Sequence, residues 1–283
     1  MNVALIAIFT LGLWAAFQQP AQPAAPARET YADVPGARIW FKDTGGAGVP
    51  VVLLHAATGS VRNWEKQYPV FTSAGYRVIA YDRRGWGRTT IQPGAQPVSA
   101  ADDLQSLMTF LHVDRFHLVA TAAGGFVALD YSLSFPEQVR SLVIANSVGG
   151  VTDEDYVELG RTLRPPQFDA LPAHVRELGP SFRAGDPQGT RVWMEMERMS
   201  RQDGVAAQPF RNRMTFALLE KIKTPTLMLT GDADMYAPPP VLKRFTDRIK
   251  GSQSVIIPEA GHSSYWEKPE MFNRAVLEFI SKH

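Results

Sequence analysis

Two short segments near the C-terminus carry residue types that can move protons. Gly231-Asp232-Ala233-Asp234 follows the apolar run Thr226 to Thr230, and Gly261-His262 follows Ser254 to Glu259. A histidine beside a carboxylate is a base that works near neutral pH, because the carboxylate orients the imidazole and stabilises its protonated form. A third segment, His55-Ala56-Ala57-Thr58-Gly59, follows the apolar Val51 to Leu54. A loop of small residues after a strand lets backbone N–H groups approach a bound oxygen, as an oxyanion hole requires. Acid, base and oxyanion donors together are the parts of acyl chemistry.

The missing part is the attacking oxygen. Val119-Ala120-Thr121-Ala122-Ala123-Gly124-Gly125 reads as a strand turning sharply into a helix, the arrangement of the G-x-S-x-G motif that presents a nucleophile. A residue on so tight a turn needs small neighbours two positions before and two after it. Centring on Ala122 gives Ala120 and Gly124, whereas centring on Thr121 gives Val119 and Ala123, so Ala122 is the better centre. Its side chain cannot attack anything. Thr121 as a displaced nucleophile requires a distorted turn, and Ser60, after the oxyanion loop, is the other candidate hydroxyl.

A lone histidine near a C-terminus is usually a surface or core residue, but a Gly-His after a strand, preceded by a Gly-x-x-Asp strand end, is more specific. His55 reads as a structural anchor for its loop. His112, His117, His174 and His283 show no ligand spacing with carboxylates or with one another, so no metal site is indicated. Asp82-Arg83-Arg84-Gly85-Trp86-Gly87-Arg88-Thr89 reads as a tight turn whose charges hold the loop.

These segments need a scaffold that places them together. Thr30 to Asp43 reads as a hairpin turning at Pro35-Gly36. Pro50 to His55, Arg77 to Tyr81, Phe116 to Ala120, Ser141 to Ala145, Pro225 to Thr230 and Ser254 to Ile257 read as buried strands. Trp64 to Ser73, Ala100 to Leu111, Gly124 to Ser134, Pro240 to Ile249 and Pro269 to Lys282 carry helical periodicity. The alternation predicts a mostly parallel central sheet flanked by helices, an α/β fold whose ligands sit at the carboxyl ends of the strands. From about 149 to 214 the strands stop, which predicts a helical cap inserted over those ends. Trp193, Met196 and Met199 are candidate pocket residues within it. The alternative is that they pack the cap onto the main domain.

Lysine plus arginine (29) nearly cancels aspartate plus glutamate (28), and no basic run interleaves with aromatic residues, so a nucleic-acid partner is not expected and a small molecule is. Residues 1–29 differ from the rest: Val3 to Phe17 is apolar apart from Thr10, and a Pro/Ala/Gln spacer follows, ahead of a domain at 30–283. At ~1.5 Å per residue the apolar run spans about 22 Å, short of the roughly 30 Å hydrocarbon core, so it reads as a signal peptide for a periplasmic or secreted protein. An inner-membrane anchor through residues 3–17 is the alternative. The absence of cysteine fits such a compartment but adds little.

The landmarks in this order resemble the alpha/beta-hydrolase superfamily, in its capped branch of esterases, epoxide hydrolases, haloalkane dehalogenases and carbon–carbon bond hydrolases, from about Thr30 to the C-terminus. The resemblance implies His262 as general base, Asp234 as its orienting carboxylate by the Gly-x-x-Asp spacing, and the backbone N–H groups of Ala57 and Ala123 as oxyanion donors. The chain departs from the pattern twice, with Ala56 where glycine is usual and Ala122 where the nucleophile belongs. Thr121 and Ala123 also depart from it, which favours a natural alanine over one introduced to trap a substrate.

Three functions follow. The first is an exported, cofactor-independent hydrolase of a small, apolar, activated ester, lactone or diketone, in which the His262–Asp234 pair is a base without a serine nucleophile. The same pair could abstract a proton from an acidic substrate, for which the resemblance supplies precedents in hydroxynitrile lyases and cofactor-free dioxygenases. The second is hydrolysis through Thr121 or Ser60. The third is a binding protein without catalysis, against which the retained acid–base pair argues.

Overall fold

The computed structural model describes residues 26–283, and the expected signal or anchor at 3–17 lies outside them. Strands β1 (Arg28–Val34) and β2 (Ala37–Asp43) form the opening hairpin, turning at Gly36 with φ +74°. β3 (Pro50–Leu54), α1 (Tyr68–Ser73), β4 (Arg77–Tyr81), the two-residue β5 (Thr90–Ile91), α2 (Ala100–Phe110), β6 (Phe116–Thr121), α3 (Ala123–Ser134) and β7 (Val139–Ala145) follow. The chain then runs through α4 (Glu154–Thr162), α5 (Ala173–Glu177), α6 (Pro180–Gly185), α7 (Pro187–Arg198) and α8 (Phe216–Leu219). It returns to the sheet with β8 (Thr226–Gly231), α9 (Pro239–Thr246) and β9 (Gln253–Ile257), and ends in α10 (Ser264–Glu267) and α11 (Pro269–Ile280).

The strand order is β1-β2-β4-β3-β6-β7-β8-β9, with β5 paired to β2. Strands β3, β4, β6, β7, β8 and β9 are mutually parallel, and the opening hairpin joins antiparallel. Every residue of β4 and β6 is buried, as a strand covered on both faces requires. The period of two sends Val52, Leu54, Leu118 and Ala120 to a core shared with Leu104 and Leu107 of α2 and Val127 of α3. Val51, Leu53 and Val119 go to a core shared with Phe71 of α1 and Phe272 and Val276 of α11. The segments named for their chemistry all follow carboxyl ends: residues 55–59 after β3, Ala122 after β6, Asp234 after β8 and His262 after β9.

Candidate active site

The turn from β6 into α3 holds Ala122 at φ +50°, ψ −120°, a backbone conformation that costs an alanine roughly 1–3 kcal/mol. Neighbouring groups impose it. Ala122 N–H donates to Ala145 O at 2.9 Å, while its carbonyl accepts Gly125 N–H at 2.9 Å and Ser147 Oγ at 2.7 Å. The glycines let α3 approach the sheet: a Cβ on Gly124 would lie 2.3 Å from Leu54 O, and one on Gly125 2.5 Å from Ser147 Oγ. The chain thus maintains the turn that presents a nucleophile and places a methyl group on it.

Neither alternative hydroxyl replaces the missing one. Thr121 is fully enclosed, and its Oγ1 has no hydrogen-bond partner among the described residues, so no base activates it. Ser60 caps the short 3-10 turn Val61–Trp64, its Oγ accepting Arg62 N–H at 3.4 Å while Asn63 Oδ1 accepts Ser60 N–H at 2.6 Å. That reciprocal pair is a capping box.

The acid and base meet. His262 Nδ1 lies 2.9 Å from both carboxylate oxygens of Asp234. Asp232 instead accepts Glu259 N–H at 2.7 Å and ties two turns together. Asp234 Oδ1 also accepts Tyr236 N–H at 2.8 Å and Ala237 N–H at 2.9 Å. Its Oδ2 accepts Asn146 Nδ2–H at 3.0 Å and the Thr230 hydroxyl at 3.1 Å. Burial alone would raise the Asp234 pKa, but the adjoining His262 charge and these donors outweigh it and hold the carboxyl below its ordinary value. Burial likewise pulls His262 down, and the negative charges of Asp234 and Glu177 outweigh it, so the imidazole is more basic than usual. With Nδ1–H given to Asp234, the lone pair is on Nε2, which has no protein partner among the described residues.

Three residues not anticipated from the sequence shape this pair. Asn146, at φ +49° and fully buried, bridges Asp234 to Gly261 O at 3.0 Å and accepts the Ser264 hydroxyl, so one side chain joins the ends of β7, β8 and β9. Glu267 accepts N–H from Gly261 (3.0 Å) and Ser263 (3.2 Å), on either side of His262, and from Gly179 (2.8 Å) in the helical insertion. The Tyr236 ring lies against the imidazole, centroids 4.4 Å apart. A polar residue directly at a strand's carboxyl end was the available signal for Asn146. A carboxylate five residues past the histidine was the signal for Glu267.

His55 is the anchor expected of it: fully buried, its Nδ1–H donates to Ala56 O at 2.7 Å and its Nε2 accepts Arg83 N–H at 3.2 Å. Burial and the neighbouring Arg83 charge hold its pKa well below the usual imidazole value, so it stays neutral. Trp86 Nε1–H pins the loop through Ala57 O at 2.7 Å. The N–H groups of Ala57 and Ala123 have no acceptor among the described residues. The Asp82 loop is held by its own charges: Asp82 accepts Val61 and Arg88 N–H at 2.8 and 2.9 Å, and Arg84 pairs with Asp103 at 2.6 and 2.7 Å.

The candidate pocket residues of the insertion sit in two environments. Trp193 and Met196 are buried in the hydrophobic cluster that includes Leu178, Phe182 and Tyr265, and Met199 is 49% exposed. An amphipathic α7 buries that face to hold the insertion on the sheet, so Trp193 and Met196 are packing residues and Met199 faces solvent. A cavity of about 410 Å³ lies elsewhere, between α4 and the loop after β8, walled by Val148, Val151, Tyr156, Arg164, Phe168 and Tyr236. Tyr236 is the wall it shares with His262. Among the described residues no group of three or more His, Cys, Asp or Glu side chains has metal-binding geometry.

Comparison with known proteins follows this geometry. The chain is 28% identical over 263 residues to a 2-hydroxy-6-oxononadienedioate/2-hydroxy-6-oxononatrienedioate hydrolase of Burkholderia vietnamiensis, covering 87% of this chain and 91% of the relative. It is similar in structure to a thermophilic esterase from Thermogutta terrifontis, with a TM-score of 0.75, 27% identity, and coverage of 91% and 99% of the two chains. The enol-lactonase of Burkholderia xenovorans shares the fold at 21% identity and a TM-score of 0.72, with 89% and 99% covered. Residues 51–275 match the model of the alpha/beta hydrolase family. By that match and by its sheet and strand-end turns, the chain belongs to the alpha/beta hydrolase family.

Proposed function

We propose that the protein is a hydrolase of a small, mostly apolar substrate with an activated carbonyl, of ester, lactone or diketone type, and that no acyl group is ever carried on residue 122. Neutral His262 Nε2 takes a proton from water as the water oxygen bonds to the carbonyl carbon. The oxyanion forms against the Ala57 and Ala123 N–H groups, the bond to the leaving group breaks, and His262 returns the proton to it. The observation that carries this reading is the complete, charge-stabilised His262–Asp234 pair, its Nε2 free, beside a nucleophile turn that ends in a methyl group.

Magnitudes limit the substrate. A positioned base contributes roughly 10²- to 10⁴-fold, and an oxyanion hole with binding leaves roughly 10³- to 10⁴-fold when the covalent route is absent. An unactivated amide is out of reach, whereas an aryl ester, enol lactone or β-diketone is not. The names of the relatives, a dienedioate hydrolase, an esterase and an enol-lactonase, support hydrolysis over proton abstraction of the lyase or oxygenase kind. The apolar segment at 3–17 supports export, with the helical insertion as a cap over the site.

Intact-protein mass spectrometry during single-turnover hydrolysis tests the route. Direct attack leaves the enzyme mass unchanged throughout. An acyl adduct on the protein, on Thr121 or any other residue, would overturn the proposal.

A further inference from the structure

The cavity beside the site contains a cation without an ion pair among the described residues. Arg164, on its wall, lies between two aromatic rings, its guanidinium carbon 5.3 Å from the Phe168 centroid and 5.3 Å from that of Tyr236. Cation–π contacts of this kind hold the group in one orientation. Its Nε is shut off from solvent with no hydrogen-bond partner, and it forms no ion pair among the described residues, whereas neighbouring Arg161 is taken by Glu158. Arg176 repeats the pattern behind the same ring, 5.8 Å from Phe168, its Nε likewise enclosed and unpartnered. Asp169, the one carboxylate on the cavity wall, is exposed and pairs with neither arginine.

A buried N–H donor without an acceptor is costly, and a guanidinium presents its donors as a planar fork that matches a carboxylate. Apart from Arg161, which pairs with Glu158, and the exposed Asp169, the rest of the wall is largely apolar or aromatic, including Val148, Val151, Tyr156, Phe168 and Tyr236. Two of these residues join the cavity to the reacting groups. Tyr236 packs on His262, and Val148 follows Ser147, whose hydroxyl holds the Ala122 carbonyl. The field of Arg164 already reaches His262, where it opposes the basicity conferred by Asp234.

We propose that Arg164 binds a carboxylate carried by the substrate itself, so that the substrate is an apolar or aromatic monoanion with its activated carbonyl at one end and a free carboxylate at the other. The assignment of the reacting end rests on the proposed function; the carboxylate site does not. The test therefore measures binding apart from turnover. 3-Phenylpropionate and its neutral amide are titrated calorimetrically into wild type, His262→Ala, Arg164→Gln and Arg164→Lys, each checked for an unchanged melting temperature. The expected result is a preference of about 10- to 100-fold for the carboxylate in wild type and in His262→Ala, reduced in Arg164→Lys and lost in Arg164→Gln. Equal binding of acid and amide to wild type, or a preference that survives Arg164→Gln, would overturn the proposal. So would an amide whose binding is strengthened by added acetate with no advantage for the attached carboxylate, which would assign Arg164 to a separate anion. A protein inactive on every ester but showing the acid preference would refute the hydrolase reading and leave this site standing.

Discussion

His262 directs Nδ1 at both carboxylate oxygens of Asp234, 2.9 Å from each, and leaves Nε2 without a protein partner among the described residues. A base acts only when neutral, and the Asp234 and Glu177 charges, which outweigh burial, raise the imidazole pKa. The rate therefore rises with pH through a value above the ordinary ~6.5. Asp234→Asn removes the charge that raises it, so the acid limb moves to lower pH while kcat falls by about 10²- to 10⁴-fold through loss of tautomer and orientation. A pH–rate profile of both proteins reads the shift.

The same pair sets a window of stability. Asp234, depressed, contributes stability that is full above its unfolded value of ~3.9 and is lost as pH falls through its lower folded value. His262, raised, contributes stability that is full below ~6.5 and is lost as pH rises through its higher folded value. Wild type should exceed His262→Ala in melting temperature most near pH 5, with the difference narrowing toward pH 9.

Ala122 sits on a turn whose positive φ strains an alanine. Ala122→Gly relieves the φ of +50° and should stabilise the fold by up to ~1 kcal/mol, read as a higher urea midpoint at unchanged slope. Ala122→Ser places a hydroxyl on the turn beside a competent base. It should produce a burst of p-nitrophenol from p-nitrophenyl acetate and an acyl-enzyme visible by mass spectrometry, both absent from wild type.

Gly124 has no room for a side chain, because the added Cβ would meet the Leu54 carbonyl at 2.3 Å, and backbone cannot rotate away. Gly124→Ala should lower stability by roughly 1–3 kcal/mol and shift α3, displacing the Ala123 N–H and lowering activity further than the stability loss explains. Denaturant unfolding and kcat together check this.

Glu267 holds the residues flanking His262 and Gly179 of the insertion with one carboxylate. Glu267→Ala orphans these enclosed N–H groups at roughly 1–3 kcal/mol for each donor left unsatisfied. Glu267→Gln keeps one acceptor oxygen and should recover most of the stability. If Glu267 acts by positioning His262, Glu267→Gln also lowers kcat more than it raises KM.

The sheet was legible because its strands are buried on both faces: Val51 to Leu54, Arg77 to Tyr81 and Phe116 to Ala120 are nearly continuous apolar runs that no surface segment would carry. The His262–Asp234 pair was legible because Asp234 follows such a strand, β8, and His262 a short β-branched run, although that run, β9, is a largely exposed edge strand and not the buried one expected of Ser254 to Ile257. Asn146 was not, since its importance lies in reaching the ends of two other strands at once, a relation set by the β7–β8–β9 order rather than by local pattern. The role of Trp193 and Met196 was not legible, because an apolar stripe on a helix has the same composition whether it lines a pocket or packs the helix down. The two-residue β5 is too short to leave a period. Arg164 and Tyr236, far apart in sequence, acquire meaning only where the chain brings both to one cavity.

The central claim is that His262 performs catalysis while residue 122 carries no nucleophile. The most direct test is turnover of purified wild type, His262→Ala and Ala122→Ser on activated aryl esters, lactones and β-diketones. The account predicts wild-type hydrolysis of at least one class, lost by at least about 10²-fold in His262→Ala with the fold intact. Wild type inactive on all three classes, with hydrolysis arising only in Ala122→Ser, would contradict it.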